Sequence, residues 1–460
     1  MCLILALTPA HFFAGKANER KEVSVESIYL DPANEKKAEN IIFAEKLESL
    51  LEKNDMNGAL LLFDSLPPEL AADPELKLLK AAILVSANRI DEASKITAEL
   101  LKIDGKNKDV LELNAQVALS SGNKQMVQAA LKQLLASDPT NAAANIMLAD
   151  QQALNKKYKQ AAGYYKKALV KEPKNMDALL GFGKMSYYQN NMKEAKLTFE
   201  RMLKIEPNNS DALASMGKVY AEEENYFRAA SYVKDALKID SSSYDLHIDL
   251  GNYERYQGHY KEAEDAWTAA ISIEPKYFLA YAYRAGLRDE QNRFQDALAD
   301  YRKVIETNPK YYFAYEAIGI LEFHLEHWQA ARDAFHKANA LSNSAAYQLM
   351  SIATYLKENN LQEAKKYAQT AMRPLARESL EYKMMRLYHD QGPISAENAI
   401  ARDIEKEKNK TQHGKMMYYL ALYYELKNLP QAASEYYAKI QKMKAPLFFE
   451  YRLAEWGIKS

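Results

Sequence analysis

Histidine is the residue type in this chain whose spacing comes nearest to a metal site. His324 and His327 are three residues apart, so on a helix they would share one face and could bind zinc with a third ligand. His336 lies in the next predicted helix and could point elsewhere. Because zinc sites usually have closer and more complete ligand sets, we interpret this segment as a turn between helices and predict no metal.

Phosphate-binding and nucleophilic motifs are incomplete in this sequence. The segment 181–186, with the sequence GFGKMS, resembles a phosphate-binding loop, but Ala178 stands where that loop needs a glycine. No Gly-x-Ser-x-Gly element occurs, and Cys2 is the single cysteine. We therefore predict that the protein is not an enzyme and has no catalytic residue and no cofactor.

Lysine is concentrated in one segment of the chain. Seven lysines occur between residues 156 and 174 with only Glu172 to oppose them: Lys156, Lys157, Lys159, Lys166, Lys167, Lys171 and Lys174. They could coat a solvated outer face, or they could bind an anionic surface such as the lipid headgroups of a membrane. Over the whole chain 61 basic and 62 acidic residues nearly cancel, so we predict no nucleic-acid partner.

The elements that must position these residues follow a period of 34 residues. Small residues recur in two columns, at Ala149, Gly183, Gly217, Gly251, Ala285 and Gly319 and at Ala161, Ala195, Ala229, Ala263, Ala297 and Ala331. Apolar residues follow at Tyr165, Phe199, Val233, Trp267, Tyr301 and Phe335, and prolines recur at Pro139, Pro173, Pro207, Pro275 and Pro309. Small residues allow helix backbones to approach and proline ends a helix, so the pattern predicts antiparallel helix pairs without strands.

This order of small, small, large apolar and proline positions resembles the tetratricopeptide repeat (TPR). The resemblance is clear over residues 142–343, which hold six repeats, and weaker over 39–141 and 345–447. It implies an all-α fold, a TPR-type α-solenoid in which antiparallel helix pairs stack into a right-handed superhelix, because one pair cannot bury its apolar face alone. Within 344–460 we predict further degenerate pairs and a C-terminal capping helix, Phe448–Ile458.

The N-terminal segment resembles a secretory signal peptide. Residues 2–13 are mostly apolar but too few to span a bilayer as a helix, and Gly15 and Ala17 supply the small residues of a cleavage site. We therefore predict a signal peptide at 1–17, a solvated lead-in at 18–38 and export to the periplasm or cell envelope. The alternative interpretation is an apolar N-terminal segment of a cytoplasmic protein.

The TPR resemblance also implies where a partner would bind. In the family, the first helix of each pair lines a concave groove, with binding residues commonly at the second, fifth, ninth, twelfth and thirteenth positions. The ninth position of successive repeats holds Lys184, Lys218 and Asn252, which predicts a polar ladder. Aromatic residues fall at wall positions farther along, at Tyr256, Tyr277, Tyr311, Phe313 and Phe323. They could anchor a partner or pack between adjacent repeats, whereas Tyr281 and Tyr315 fall at a position that the family buries.

These observations predict a non-enzymatic scaffold that binds a protein or peptide in its groove, as an exported adaptor of the cell envelope. The alternative is a binding protein for a small apolar or aromatic ligand in an uptake system. That ligand would need a closed pocket rather than an open channel. A repeat architecture does not by itself identify the partner.

Overall fold

The described parts of this protein are built from α-helices alone. The structure is a computed structural model that describes residues 32–443 and 448–459, with side chains for 42–443 and 448–458. Within these ranges no residue lies in a β-strand, and helices follow one another along the chain. The predicted all-α solenoid is therefore confirmed. The predicted signal peptide at 1–17 and most of the lead-in lie outside the described residues.

The chain divides into two compact units, residues 1–219 and 220–460, which we call unit 1 and unit 2. Unit 1 contains α1 Pro32–Glu52, α2 Met56–Asp64, α3 Pro68–Ala71, α4 Pro74–Ser86, α5 Ile90–Ile103, α6 Lys108–Ser120, α7 Lys124–Ser137, α8 Ala142–Leu154, α9 Tyr158–Lys171, α10 Met176–Tyr188, α11 Met192–Ile205 and most of α12 Ser210–Glu222. Each second helix packs on the first helix of its pair, as α9 does on α8 and α11 on α10.

Unit 2 continues the alternation of first and second helices. It contains α13 Tyr226–Ile239, α14 Tyr244–Tyr256, α15 Tyr260–Ile273, α16 Phe278–Glu290, α17 Phe294–Thr307, α18 Tyr312–His324, α19 Trp328–Ser342, α20 Ala345–Lys357, α21 Leu361–Met372, α22 Leu380–Asp390, α23 Ile394–Glu405, α24 Lys410–Leu426, α25 Pro430–Gln441 and α26 Glu450–Lys459. Neighbouring helices pack in pairs throughout, and α26 contacts α18 as well as α24 and α25.

Asparagine shapes many of the turns within the pairs. Asn190 and Asn292 each have a φ of 59°, in the left-handed region that asparagine tolerates better than most residues. The next residue after the first of these, Asn191, accepts a hydrogen bond from the backbone N–H of Glu194 and so caps the start of α11. A pair of adjacent asparagines can therefore end one helix and begin the next.

The 34-residue columns are the contacts between the two helices of a pair. The six alanines of the second small column are all fully buried. In the first column, a Cβ built on Gly319 would lie 2.6 Å from Cε1 of Phe335, closer than real Cβ contacts come. Gly183 meets Phe199 and Gly251 meets Trp267 in the same way. The small residue is required because the large apolar residue of the same repeat occupies its space.

Some helix boundaries differ from the sequence prediction. Helix α1 begins at Pro32, inside the predicted lead-in, because proline suits the first turn of a helix. The register slips by one residue after residue 343, because only Asn343 and Ser344 separate α19 from α20, whereas four residues, 308–311, separate α17 from α18. The one extra residue of α19, which has 15 against 14 in α17, offsets only half of that difference. The capping helix is Glu450–Lys459, close to the predicted range.

Candidate partner-binding surfaces

Two of the predicted groove lysines line one cavity in unit 1. Lys184 on α10 and Lys218 on α12 border a cavity of about 110 Å³ between these first helices of successive repeats. Its other lining residues are Tyr187, Tyr188, Phe199, Asp211, Ala214 and Ser215. The structure therefore brings together the first two residues of the predicted polar ladder.

The charges in this cavity suit an anionic or carbonyl ligand. The Nζ atom of Lys184 lies 3.8 Å from Oδ1 of Asp211, and the two side chains are 44% and 67% exposed. Ion pairs this exposed stabilise a protein by only about 0–1 kcal/mol, because water competes for both partners. A carboxylate of a partner could therefore replace Asp211 beside Lys184 at little cost, with the exposed Lys218 also in reach.

Two tyrosines that were not among the predicted groove residues, Tyr187 and Tyr188, complete the cavity. The ring of Tyr188 is 56% exposed; it stacks on Tyr158 with 5.1 Å between centroids and meets Tyr187 edge-on at 5.6 Å. Both tyrosines were within reach of sequence reasoning, because they occupy the twelfth and thirteenth positions of the repeat that contains Lys184. Exposed, rigid aromatic rings beside cations are typical of sites that anchor a partner.

The aromatic residues predicted for the groove lie in unit 2 and differ in exposure. Tyr256 is 65% exposed and stacks on Tyr226 at 4.5 Å. Tyr277 is 57% exposed and meets Tyr244 edge-on at 5.4 Å. Asn252, the third member of the predicted ladder, is half-buried in α14. Because it belongs to unit 2, its alignment with the two lysines stays a prediction.

The other predicted aromatics range from exposed to buried. Phe313 is 50% exposed and stacks on Tyr312 at 4.0 Å, whereas Tyr311 packs against Phe278 at 5.0 Å. Burial raises the pKa of Tyr311, as expected for a ring partly removed from water. Phe323 is only 8% exposed. It meets Trp328 in the large cluster of buried apolar residues that runs from Ile320 to Ala454 in unit 2, which we call the core cluster. Phe323 is therefore a packing residue, and the exposed part of the wall is smaller than predicted.

The two residues predicted as core positions are indeed packed. Tyr281 is 8% exposed, and Tyr315 is partly buried against the core cluster of unit 2. The guanidinium of Arg284 lies 5.9 Å from the centre of the Tyr281 ring. The repeat position therefore distinguishes these tyrosines from the exposed ones.

His324 and His327 contact different residues. His327 Nδ1 lies 2.7 Å from Oε2 of Glu322. Glu322 is buried, and its other carboxylate oxygen accepts a hydrogen bond from Arg302. His324 instead stacks on Trp456 at 4.0 Å, and burial lowers the pKa of His324, with the positive charge of Arg452 adding to the effect. Among the residues that the structure describes, no group of three His, Cys, Asp or Glu side chains could hold a metal ion.

The lysine-rich segment lies on α9 and the turns that flank it. All seven lysines are exposed, and two exposed apolar side chains, Leu154 and Val170, accompany them. Lys171 is held by Asp138, with 2.6 Å between Nζ and Oδ2, and Lys167 lies 5.2 Å from the centre of the Tyr164 ring. In the described part of the chain, no helix is long and apolar enough to span a membrane.

Comparison with known families agrees with the helix-pair architecture. Two sequence models described as tetratricopeptide repeat match the chain, one over residues 152–219 and the other over 112–177, 248–312 and 285–346. The matched residues include most of the clear repeats. No curated protein matches the sequence.

Solved structures of other proteins are similar to part of the chain. A tetratricopeptide repeat protein from Parabacteroides merdae is 21% identical, covers 53% of this chain and 97% of its own, and has a TM-score of 0.41. PilF from Pseudomonas aeruginosa is 20% identical, covers 46% and 96%, and has a TM-score of 0.36. YrrB, described as a TPR protein with an unusual peptide-binding site, is 21% identical, covers 41% and 96%, and has a TM-score of 0.34.

Proposed function

Since this chain belongs to the tetratricopeptide repeat family, we propose that it is a non-enzymatic scaffold that binds a segment of another protein along the first helices of its repeats. The cavity that Lys184 and Lys218 share carries this proposal. It combines two cations, one weakly held carboxylate and two tyrosines on adjacent repeats. Cations beside aromatic rings are typical of surfaces that anchor a peptide.

The chemistry of the cavity limits what the partner segment presents. An ammonium group binds carboxylates and backbone carbonyls, so we propose that the partner places one of these beside Lys184 and Lys218. The faces of Tyr187 and Tyr188 favour an apolar or aromatic side chain next to that group. The exposed aromatics Tyr256, Tyr277 and Phe313 are proposed as further anchors in unit 2, with Asn252 and Tyr311 beside them.

A small apolar ligand fits the described cavities less well. The cavity at Lys184 holds about 110 Å³, below the roughly 300–1,000 Å³ of typical small-molecule pockets. A larger depression of about 480 Å³ lies between α22 and α23, but Lys383, Arg386, Asp390 and Asp403 line it and no aromatic residue does. We therefore retain the protein scaffold as the proposed function.

A selection from a random peptide library tests the proposal. The wild-type chain should enrich peptides that carry an acidic group close to an apolar side chain. Lys184→Glu with Lys218→Glu should weaken these peptides about 30-fold or more, because removing two such contacts costs on the order of 2 kcal/mol. Lys193→Glu with Lys204→Glu, at exposed positions of α11, is the matched control and should bind as the wild type does. Equal binding by both variants, or no enriched peptide, would rule out this site.

We also propose that the protein is exported and acts at the cell envelope, on the strength of the signal-peptide pattern at 1–17. Residues 1–25 fused to a reporter that is active only after export should give activity in a Gram-negative host. The control is the same fusion with Leu5 and Leu7 changed to charged residues, which would break the apolar run. An inactive wild-type fusion would place the protein in the cytoplasm.

A further inference from the structure

The C-terminal helix α26 presents two different faces to unit 2. Leu453 and Ala454 are buried in the core cluster, together with Phe448 just before the helix. Arg452 and Trp456, one helical turn apart, lie on the other face and contact helices of much earlier repeats. The helix thus caps the last repeats and also reaches back along the chain.

Arg452 binds a buried carboxylate. Its Nη1 donates to Oδ2 of Asp289 on α16, and its Nη2 donates to the backbone oxygen of Asp289 at 2.9 Å. The Asp289 residue is only 7% exposed. In the repeat numbering, Asp289 is a twelfth-position residue, one of the positions through which TPR proteins commonly bind their ligands.

Trp456 packs against two residues of neighbouring repeats, next to the contact between Arg452 and Asp289. Its ring stacks on His324 of α18 at 4.0 Å and meets Phe294 edge-on at 5.6 Å. His324 is the thirteenth-position residue of its repeat. The guanidinium of Arg452 lies 4.5 Å from the centre of the Trp456 ring, so the two side chains form one cationic and aromatic surface.

Arg452 leaves one oxygen of the Asp289 carboxylate without a partner. Oδ1 of Asp289 is buried and has no hydrogen-bond partner. A buried carboxylate oxygen without a donor costs free energy, since it has lost its water. Oδ1 of Asp289 is therefore an unused acceptor, and a ligand with better-placed donors could hydrogen-bond to it.

We propose that α26 is an intramolecular ligand of the wall formed by Asp289, Phe294 and His324, and that a partner helix carrying an arginine and an aromatic residue one turn apart displaces its Arg452–Trp456 face. The acidic and aromatic character of the wall complements this partner, and α26 itself shows that a helix fits there. This inference concerns unit 2 and does not depend on what binds at Lys184.

A labelled peptide with the sequence of residues 448–460 tests the proposal on the full-length chain. In the wild type, α26 blocks the wall, so the peptide should bind weakly. Arg452→Ala with Trp456→Ala should free the wall and tighten peptide binding about tenfold or more, because α26 of the same chain no longer competes with the peptide. Asp289→Asn added to that variant should abolish the gain, and Ile458→Ala, at an exposed position of α26, should bind the peptide as the wild type does.

Hydrogen exchange gives a readout if the double variant does not fold. As a displaceable ligand, α26 should exchange its amides faster than α24 in the wild-type chain, since it opens without global unfolding. Saturating peptide should increase that exchange further. Equal protection of α26 and α24, unchanged by peptide, would show that α26 is only a structural cap. Equal peptide binding by the wild type and the folded double variant would overturn the proposal as well.

Discussion

Gly251 lies directly against the indole ring of Trp267, in the space where any other residue would place its Cβ atom. Trp267 is fully buried, and the contact joins α14 to α15 within one repeat. Gly183 with Phe199 and Gly319 with Phe335 repeat the relationship. The small column and the large apolar column are thus two sides of one contact, which fixes how each helix pair closes.

Gly251→Ala should destabilise the protein, although alanine is normally the better helix residue. The new methyl group would force the Trp267 ring aside, which typically costs about 1–3 kcal/mol. Gly286→Ala is the matched control: it also lies in a helix, but a Cβ there would meet no atom within 4 Å. That change should stabilise by about 0.5–1 kcal/mol. Urea unfolding measures both, and two shifts of the same sign would contradict the packing described here.

Tyr311 and Phe313 should respond differently to truncation. Phe313→Ala should leave the melting temperature nearly unchanged, because half of that side chain already faces water. Tyr311→Ala should cost on the order of 1–3 kcal/mol, since its ring packs against Phe278. Thermal melts of the two single variants test this difference. Equal losses would mean that Phe313 is also a packing residue and not an available anchor.

Glu450 should make the docking of α26 depend on pH. Burial raises the pKa of this fully buried carboxyl to about 7, against an attraction from Lys415 and a hydrogen bond from Tyr419, while Glu316 adds repulsion. The folded state therefore holds the proton more tightly than the unfolded state. The resulting stability is fully present below the ordinary glutamate pKa and is lost as pH rises through about 7, by roughly 3 kcal/mol in total.

Glu450→Gln isolates this contribution because glutamine stays neutral at every pH. Relative to the variant, the wild type should lose stability as the pH of a urea titration is raised from about 4.5 to about 8. Other titrating groups affect both proteins alike and cancel in the comparison. A stability difference that does not change with pH would show that Glu450 is not protonated in the folded chain.

The lysine-rich segment 156–174, on α9 and its flanking turns, should bind anionic membranes weakly, as the second interpretation of its sequence predicts. Each lysine near an anionic surface contributes about 1 kcal/mol, so Lys166→Glu with Lys167→Glu should weaken binding to phosphatidylglycerol vesicles about 30-fold or more at low salt. Lys193→Glu with Lys204→Glu makes the same change of charge elsewhere. Co-sedimentation measures the effect, and equal loss in both variants would indicate only a dependence on net charge.

The helix pairs were predictable because their signal is local and repeated. Glycine or alanine and a large apolar residue return at fixed spacing, so each repeat supports the interpretation of the others. Tyr187 and Tyr188 could also have been found from their repeat positions. The burial of Phe323 could not have been predicted, because the position of a residue in the repeat does not tell how closely Trp328 covers it.

The contact of Arg452 with Asp289 could not be predicted from the sequence, for a different reason. The two residues are 163 positions apart, and no periodic pattern links a terminal helix to a particular earlier repeat. Such a contact depends on how several repeats add up in space. It therefore appears only in the structure, as does the unpartnered Oδ1 of Asp289.

Site-specific photo-crosslinking can trap the partner segment that we propose for the cavity at Lys184 and Lys218. A photoreactive phenylalanine analogue at Tyr187 should form a protein adduct in the envelope fraction of cells that express the chain. The same analogue at Leu197, exposed on α11, is the control and should form none. Lys184→Glu with Lys218→Glu should remove the Tyr187 adduct. Equal adducts at both positions, or a Tyr187 adduct that persists in the lysine variant, would contradict this proposal.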